Sequence, residues 1–248
     1  MTSTPRKAAL ITGAGRNIGR AATVALAQDG FDVVINGSAN RPAAEAVAAE
    51  ARGFGVRALV AMGDVGSRDE CLRIAAEALA AFGTIDVLVN NAALRPEKPF
   101  LEIGPEDWAR VMTVDLEAAV WLSQAVLPGM IGQGWGRIVN FTGMNAMQGY
   151  SGRAPVSVAK HGAWGLTKAL AKEFAAKGIT VNAISPGPIA ADDDQPGVKT
   201  DRHGYVVKVP SGRMGTPAEV AAVVRMLVGE GGAYVNGQML QVNGGAQT

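Results

Sequence analysis

The chain has 248 residues, 48% apolar and 18% Asp, Glu, Lys or Arg, a balance that supports a buried core and excludes disorder as the main state. With 23 basic against 22 acidic residues the net charge is +1, too small a field to hold a nucleic-acid backbone or an anionic membrane. The single Cys71 excludes an internal disulfide and a cysteine-rich metal site, so no metal is expected and a reducing cytoplasm fits. The first residues lack a secretory apolar region, and charges interrupt the apolar stretches before the ~20 residues that span a bilayer, which predicts a soluble protein.

In chain order, AALIT from Ala8 reads as a strand, TGAGRNIG from Thr12 to Gly19 as a glycine-rich turn, and IGRAATVALAQDG as a helix ending at Gly30. The alternation repeats with FDVVIN and an Ala-rich helix, VRALVA and SRDECLRIAAEALAAFG, then IDVLVN and one long helix, PEDWARVMTVDLEAAVWLSQAVLPGM. It continues through GRIVNFT, the helix APVSVAKHGAWGLTKALAKEFAAKG, ITVNAIS, an irregular connection, TPAEVAAVVRMLV and a last strand QMLQV. Seven strands separated by helices predict one α/β domain over residues 1–248: a doubly wound, parallel seven-stranded sheet of Rossmann type with helices on both faces. No linker or repeat divides the chain. The connection from Pro186 to Gly215 carries four prolines and the acidic run Asp192, Asp193, Asp194. Its residues 190–212 are expected to form a substrate lid, because ligands in such sheets sit beyond the carboxyl ends of the strands.

In the first turn, Gly13 and Gly15 let the backbone approach a pyrophosphate while Gly19 lets the helix pack on the sheet, with helix amides facing the anion. Taken alone, such a turn is weak evidence, a tight bend that binds nothing being the lesser alternative.

Further marks follow in order: GDV at Asp64, NNAA from Asn90, a helix followed by GRIVNFT, a helix carrying Lys160, ISPGPI from Ile184, RMG at Arg213, and VNGQMLQVNGG near the end. With the first turn, they make the chain resemble the short-chain dehydrogenase/reductase family over nearly its full length. The resemblance implies a nicotinamide dinucleotide, a small-molecule substrate and a homotetramer or homodimer. It also implies that Asp64 and Val65 flank the adenine, Asn90 and Ala92 the adenosine ribose, and Pro186, Gly187 and Ile189 the nicotinamide amide. In the turn, Asn17 beside Ile18 replaces a family glycine, and asparagine tolerates the left-handed region better than other non-glycine residues. An acid at the end of the second strand would favour NAD(H). Here the stretch is INGSANR, without an acid, while Arg16, Ser38 and Arg41 offer contacts to a 2′-phosphate. NADP(H) is therefore favoured, with NAD(H) possible and with solvated arginines as the plainer reading.

The family's hydride-transfer site combines Asn, Ser, Tyr and Lys, of which the resemblance finds Lys160 kept, with Asp115, Gly143 and Val156 at the other three positions. Valine moves no proton, so the usual route is expected to fail. Thr142, Asn145 and Tyr150 are the nearby polar candidates for the missing role, with His161, His203 and Tyr205 behind them. His161 points about 100° away from Lys160 around the helix, which suits packing or an interface. Asp115 facing Lys160 would be either a buried ion pair or a carboxylate base beside a lysine nucleophile. Leu94, Arg95, Met144, Asn145, Tyr150 and the lid would line the substrate pocket, with Arg95, Arg153 and Lys199 able to meet a carboxylate.

Three functions follow: an NADP(H)-dependent oxidoreductase of a small carbonyl or alcohol with a non-standard site; a lyase, hydrolase or isomerase using Asp115 and Lys160; or an inactive cofactor-binding subunit.

Overall fold

A computed structural model describes residues 6–191 and 209–248. The strands are β1 (Ala8–Ile11), β2 (Asp32–Gly37), β3 (Ala58–Met62), β4 (Val87–Asn90), β5 (Gly136–Phe141), β6 (Ile179–Pro186) and β7 (Met239–Val242). They form one all-parallel sheet in the order β3-β2-β1-β4-β5-β6-β7. Strand order reverses on either side of the β1/β4 pair, registered Ala9 to Val87 and Ile11 to Val89, and this reversal opens a crevice at the carboxyl ends. The doubly wound fold expected from the alternation is the fold observed.

The helices are α1 (Asn17–Gln28), α2 (Arg41–Arg52), α3 (Arg68–Phe82), α4 (Pro105–Met112), α5 (Ala118–Gln133), α6 (Asn145–Gln148), α7 (Ala154–Phe174) and α8 (Pro217–Val228). Successive strand residues point to opposite faces, so both faces of an apolar strand need cover. Ala9, Ile11, Val33, Ile35 and Val139 meet Leu26 of α1, Val47 of α2 and Val224 of α8 in one layer. Leu10, Val34, Leu88, Ile138 and Val181 meet Ile74 of α3, Leu122 and Val126 of α5 and Ala171 of α7 in the other.

Two expectations change. The long helix after β4 is not continuous: a π-helical turn, Thr113–Glu117, separates α4 from α5. Moreover, the helical run Pro105–Gln133 does contain a window long and apolar enough to cross a bilayer, contrary to the reading that charges interrupt every such stretch. Half of that window is buried within the protein, and α5 lays Leu122, Val126 and Met130 into the core, so its apolarity serves the fold. Of the lid expected at 190–212, residues 192–208 lie outside the described residues, and with them Lys199, His203 and Tyr205. Its two ends are tied down, Ala190 N donating to Gly215 O at 2.9 Å and Ser211 N to Gly244 O at 3.0 Å.

Candidate active site and dinucleotide crevice

The first turn is built around Thr12. Its hydroxyl accepts from Asn91 N at 2.9 Å and Ala92 N at 3.0 Å, while Asn91 Nδ2 donates to the carbonyls of Thr12 and Gly13 at 2.9 and 3.1 Å. These bonds fasten the β1 turn to the end of β4. Sequence reading assigned no role to Thr12; its signal was a polar side chain ending an apolar strand. Asn17 has φ +48°, in the left-handed region expected of it.

The three glycines divide by what constrains them. Gly13 has φ +61°, and a side chain on Gly19 would collide with the Gly13 carbonyl. At Gly15 an added Cβ would meet Ala43 Cβ at 3.7 Å, an ordinary contact, so internal packing does not require glycine there. What it keeps open is the approach to α1, whose first turn has no acidic residue and no capping side chain. Backbone N–H groups without a cap, at the positive end of a helix dipole, suit a pyrophosphate.

Next to this turn, Arg16, Ser38 and Arg41 are all exposed, and Arg41 lies 3.4 Å from Glu45 in a surface ion pair. At the end of β3, Asp64 Oδ1 accepts from Gly66 N at 2.9 Å and Oδ2 pairs with Arg110 at 2.8 Å. Burial works to raise the Asp64 carboxyl, but the Gly66 amide and Arg110 outweigh it and hold the pKa below the usual range. Val65 is buried and its carbonyl accepts from Cys71 Sγ at 3.2 Å. Burial, with Asp64 and Glu70 nearby, pushes the Cys71 thiol up to about 12, which makes it inert. Beyond β6, Gly187 N donates to Val242 O at 3.0 Å and Ile189 bridges Gly215, bringing Pro186, Gly187 and Ile189 to the same end of the sheet.

At the other end of the crevice, the π-helical turn carries Asp115. Its Oδ1 accepts from Leu94 N at 2.7 Å and its Oδ2 lies 3.1 Å from Lys160 Nζ, with side-chain exposures of 0% for Asp115 and 4% for Lys160. Lys160 Nζ also donates to Phe141 O at 3.1 Å. Burial pushes the Lys160 amine below its ordinary range, Asp115 partly restores it, and Arg95 adds to the depression. Asp115 and Lys160 thus face each other as a buried pair, the arrangement from which both alternatives start.

Thr12, Asn90, Ala92, Asn140, Asp115 and Lys160 surround a cavity of about 10 Å³, room for one water. Asn90 Nδ2 donates to Asn140 Oδ1 at 2.8 Å, Asn140 Nδ2 donates to Thr167 Oγ1 at 2.9 Å, and Asn90 Oδ1 has no hydrogen-bond partner among the described residues. Asn140 was missed in sequence; a lone amide inside the apolar strand GRIVNF was its signal.

The remaining candidates scatter. The Thr142 hydroxyl donates to Ile184 O at 3.2 Å and lies 3.3 Å from Met239 Sδ, both groups belonging to neighbouring strands. Asn145 opens α6, its side chain lying outside the described part. Tyr150 is half-buried in the loop before α7, with the Arg153 guanidinium 5.1 Å from its ring centre. His161 is exposed and its Nδ1 lies 2.8 Å from Ser157 O, consistent with its expected direction. Val156 is buried in an apolar cluster with Val111 and Ala159. Gly143 has φ +94°, where an L side chain would be strained even though its nearest contact would be Pro186 O at 3.9 Å.

A doubly wound parallel sheet with an uncapped glycine-rich turn at its switch point defines a dinucleotide-binding class of protein. A sequence profile described as enoyl-(acyl carrier protein) reductase matches residues 13–247. The chain is 38% identical over 240 residues to nodulation protein G of Azospirillum brasilense, covering 97% of this chain and 98% of that one. To the 3-oxoacyl-[acyl-carrier-protein] reductase of a Synechocystis species it is 39% identical over 246 residues, covering 99% and 98%. The crystal structure of acetoin dehydrogenase from Salmonella typhimurium superposes with a TM-score of 0.87 at 34% identity, covering 97% of this chain and 95% of that one. The chain belongs to the short-chain dehydrogenase/reductase family.

Proposed function

We propose that the protein is a soluble, cytoplasmic, NADP(H)-dependent oxidoreductase acting on a small carbonyl or alcohol, with a non-standard active site. The observation that carries the reading is the glycine-rich turn: internal packing does not require glycine at Gly15, α1 has no side-chain cap, and the end of β2 lacks an acid while Arg16, Ser38 and Arg41 stand exposed beside it. The relatives named as reductases and dehydrogenases point the same way.

When bound, the dinucleotide supplies or takes a hydride at the substrate carbon, a proton completing the C=O to CH–OH change at the oxygen. The chain's residues position and protonate. Arg16 and Arg41 would hold the 2′-phosphate and the α1 amides the pyrophosphate, while Asp64, Val65, Asn90, Ala92, Pro186, Gly187 and Ile189 would border the remaining length. Lys160 and Asp115 neutralise each other and brace the loop after β4 through Leu94. Their burial gives no support to a lyase, hydrolase or isomerase reaction at their own atoms. Tyr150 is the proton-transfer group of this reading, being the half-buried phenol on the loop that leads into the Lys160 helix.

Titration calorimetry with NADPH and NADH tests the cofactor, and a panel of small aldehydes and ketones followed by nicotinamide absorbance tests the reaction. NADPH is expected to bind the tighter, and Tyr150→Phe to lower kcat by about 10²- to 10⁴-fold. Cofactor binding with no turnover on any carbonyl would point instead to an inactive subunit.

A further inference from the structure

A tyrosine on a loop transfers a proton well only if something fixes its ring, because the hydroxyl must be held within hydrogen-bond reach of the reacting oxygen. Position 156 of α7 would inherit that fixity from the helix, but Val156 fills it and is buried in apolar contacts. Tyr150 lies ahead of the helix, between α6 and α7, and the fold supplies restraints of another kind.

Arg153 N donates to Tyr150 O at 3.1 Å, which closes residues 150–153 into a turn, and Gly152 inside it has φ +75°. That turn is tied to the loop leaving β4: Lys98 N donates to Gly152 O at 2.8 Å, and Arg153 Nη2 donates to Glu97 Oε2 at 3.1 Å. The β4 loop is itself held, through Leu94 N on Asp115 Oδ1 at 2.7 Å and Lys98 Nζ on Asp107 Oδ2 at 2.6 Å. A Cβ on Gly152 would stand 3.0 Å from Glu97 Cγ, so the two loops meet closely here.

At this junction the Arg153 guanidinium lies 5.1 Å from the Tyr150 ring centre, inside the ~6 Å at which an aromatic face attracts a cation. The Arg153 side chain is only 14% exposed, against 47% for Glu97, and its Nε is shielded from water without an acceptor among the described residues. A sequestered cation holds a ring more firmly than a solvated one. An isolated surface ion pair would fix little. Here Glu97 and the ring engage one guanidinium whose backbone caps α7, the helix of Lys160.

We propose that Arg153, anchored by Glu97, is the positioning residue of Tyr150: it pins the phenol ring to the start of the Lys160 helix, as the helix backbone would pin a tyrosine at position 156. That the phenol then gives its proton to a substrate oxygen rests on the oxidoreductase reading; the pinning does not.

Fluorine NMR reads the pinning without any turnover. The chain has three tyrosines, Tyr150, Tyr205 and Tyr234, so 3-fluorotyrosine labelling gives three signals, and Tyr150→Phe and Tyr234→Phe identify two of them. Tyr234 is fully exposed and marks the position of a free ring. The Tyr150 signal is expected to lie apart from it and to move towards it in Arg153→Met, and part of the way in Glu97→Ala. Circular dichroism and unchanged dinucleotide affinity establish that the variants fold. A Tyr150 signal indifferent to Arg153→Met would overturn the proposal. Turnover on the carbonyl panel then separates positioning from general support. Arg153→Met is expected to lower kcat about 10-fold or more with KM held within about 2-fold, and Arg153→Lys, which keeps the charge, to lower it less. In the Tyr150→Phe background the same Arg153→Met change should alter kcat by less than about 2-fold, because its effect runs through the ring. Equal losses in both backgrounds would overturn the positioning role. A Tyr150→Phe enzyme as fast as the parent would sink Tyr150 as the proton-transfer group and, with the fluorine signal moving as expected, leave the pinning standing.

Discussion

Gly19 and Gly15 occupy one turn but answer to different forces. An alanine at Gly19 collides with the Gly13 carbonyl, so Gly19→Ala is expected to distort the turn and to cost both stability and dinucleotide binding. Gly15→Ala places its methyl only 3.7 Å from Ala43 Cβ, so the denaturation midpoint should hold while dinucleotide affinity falls by about 10-fold or more. Chemical denaturation and calorimetry on the pair distinguish a glycine kept for the fold from one kept for a ligand; equal losses at both positions would remove the distinction. Asp115 and Lys160 are the second residue-scale case. Lys160→Met leaves a carboxylate buried without its counter-ion, and a loss of about 3–5 kcal/mol is expected in urea denaturation. The double variant Asp115→Leu with Lys160→Met should recover part of it, because replacing both charges by apolar groups removes the desolvation penalty as well as the attraction, while the Leu94 N–H loses its acceptor. These roles differ in how far they could be read in advance. The left-handed Asn17 followed from residue type, whereas the closeness of Asp115 and Lys160 depends on residues 45 apart in sequence and becomes visible only in three dimensions.

At the scale of elements, periodicity exposed α1, α3 and α7 and the seven strands, because each has one apolar pattern answering to one environment. The break between α4 and α5 was illegible for the opposite reason. The run around Asp115 holds neither glycine nor proline to mark a break, and the π-helical turn coincides with a close tertiary contact: Leu116 meets α7 at Gly162, where an added Cβ would lie 2.7 Å from the leucine side chain. Helix α8 offers a local prediction. Thr216 Oγ1 accepts from Glu219 N, Glu219 Oε2 accepts from Thr216 N at 2.8 Å, and Arg213 clamps the same carboxylate at 2.9 Å. Arg213 first, then the Thr216 amide, lower Glu219 from 4.5 to about 2. In the unfolded chain the carboxyl returns to 4.5, so its stabilising contribution is complete above that value and is lost as the pH falls toward 2. Glu219→Gln is therefore expected to destabilise the protein by about 1 kcal/mol at neutral pH, the usual worth of a cap, with the difference from the parent vanishing near pH 2. Urea denaturation across that range measures it, and a pH-independent difference would assign the effect to packing.

For the whole molecule, the outstanding question is what covers the outer faces of α5 and α7. Both helices bury one face in the sheet layer that includes Ile138 and Val181, yet α7 also exposes Val158 and α5 exposes Ile131, while Trp121, Trp164 and Leu166 are only half-buried. Apolar side chains on both the covered and the uncovered face ask for more than one sheet can provide. We propose that a second copy of the chain, placing its own α5 and α7 against these, would supply the same chemistry by symmetry and close into a dimer or tetramer. The competing account is that residues 190–212 cover these faces within one subunit. Analytical ultracentrifugation separates the two: the parent is expected to sediment as a dimer or tetramer, and Val158→Asp, which places a charge in the contact, to shift it toward smaller species by 10-fold or more in dissociation constant, in line with the ~1.4 kcal/mol that each tenfold represents. Dinucleotide affinity should survive that substitution, since Val158 lies on α7 away from Gly13, Gly15 and the α1 amides, and it is this survival that distinguishes a broken interface from a damaged fold. A parent that sediments as a monomer at every concentration would return those faces to the account in which one subunit covers them itself.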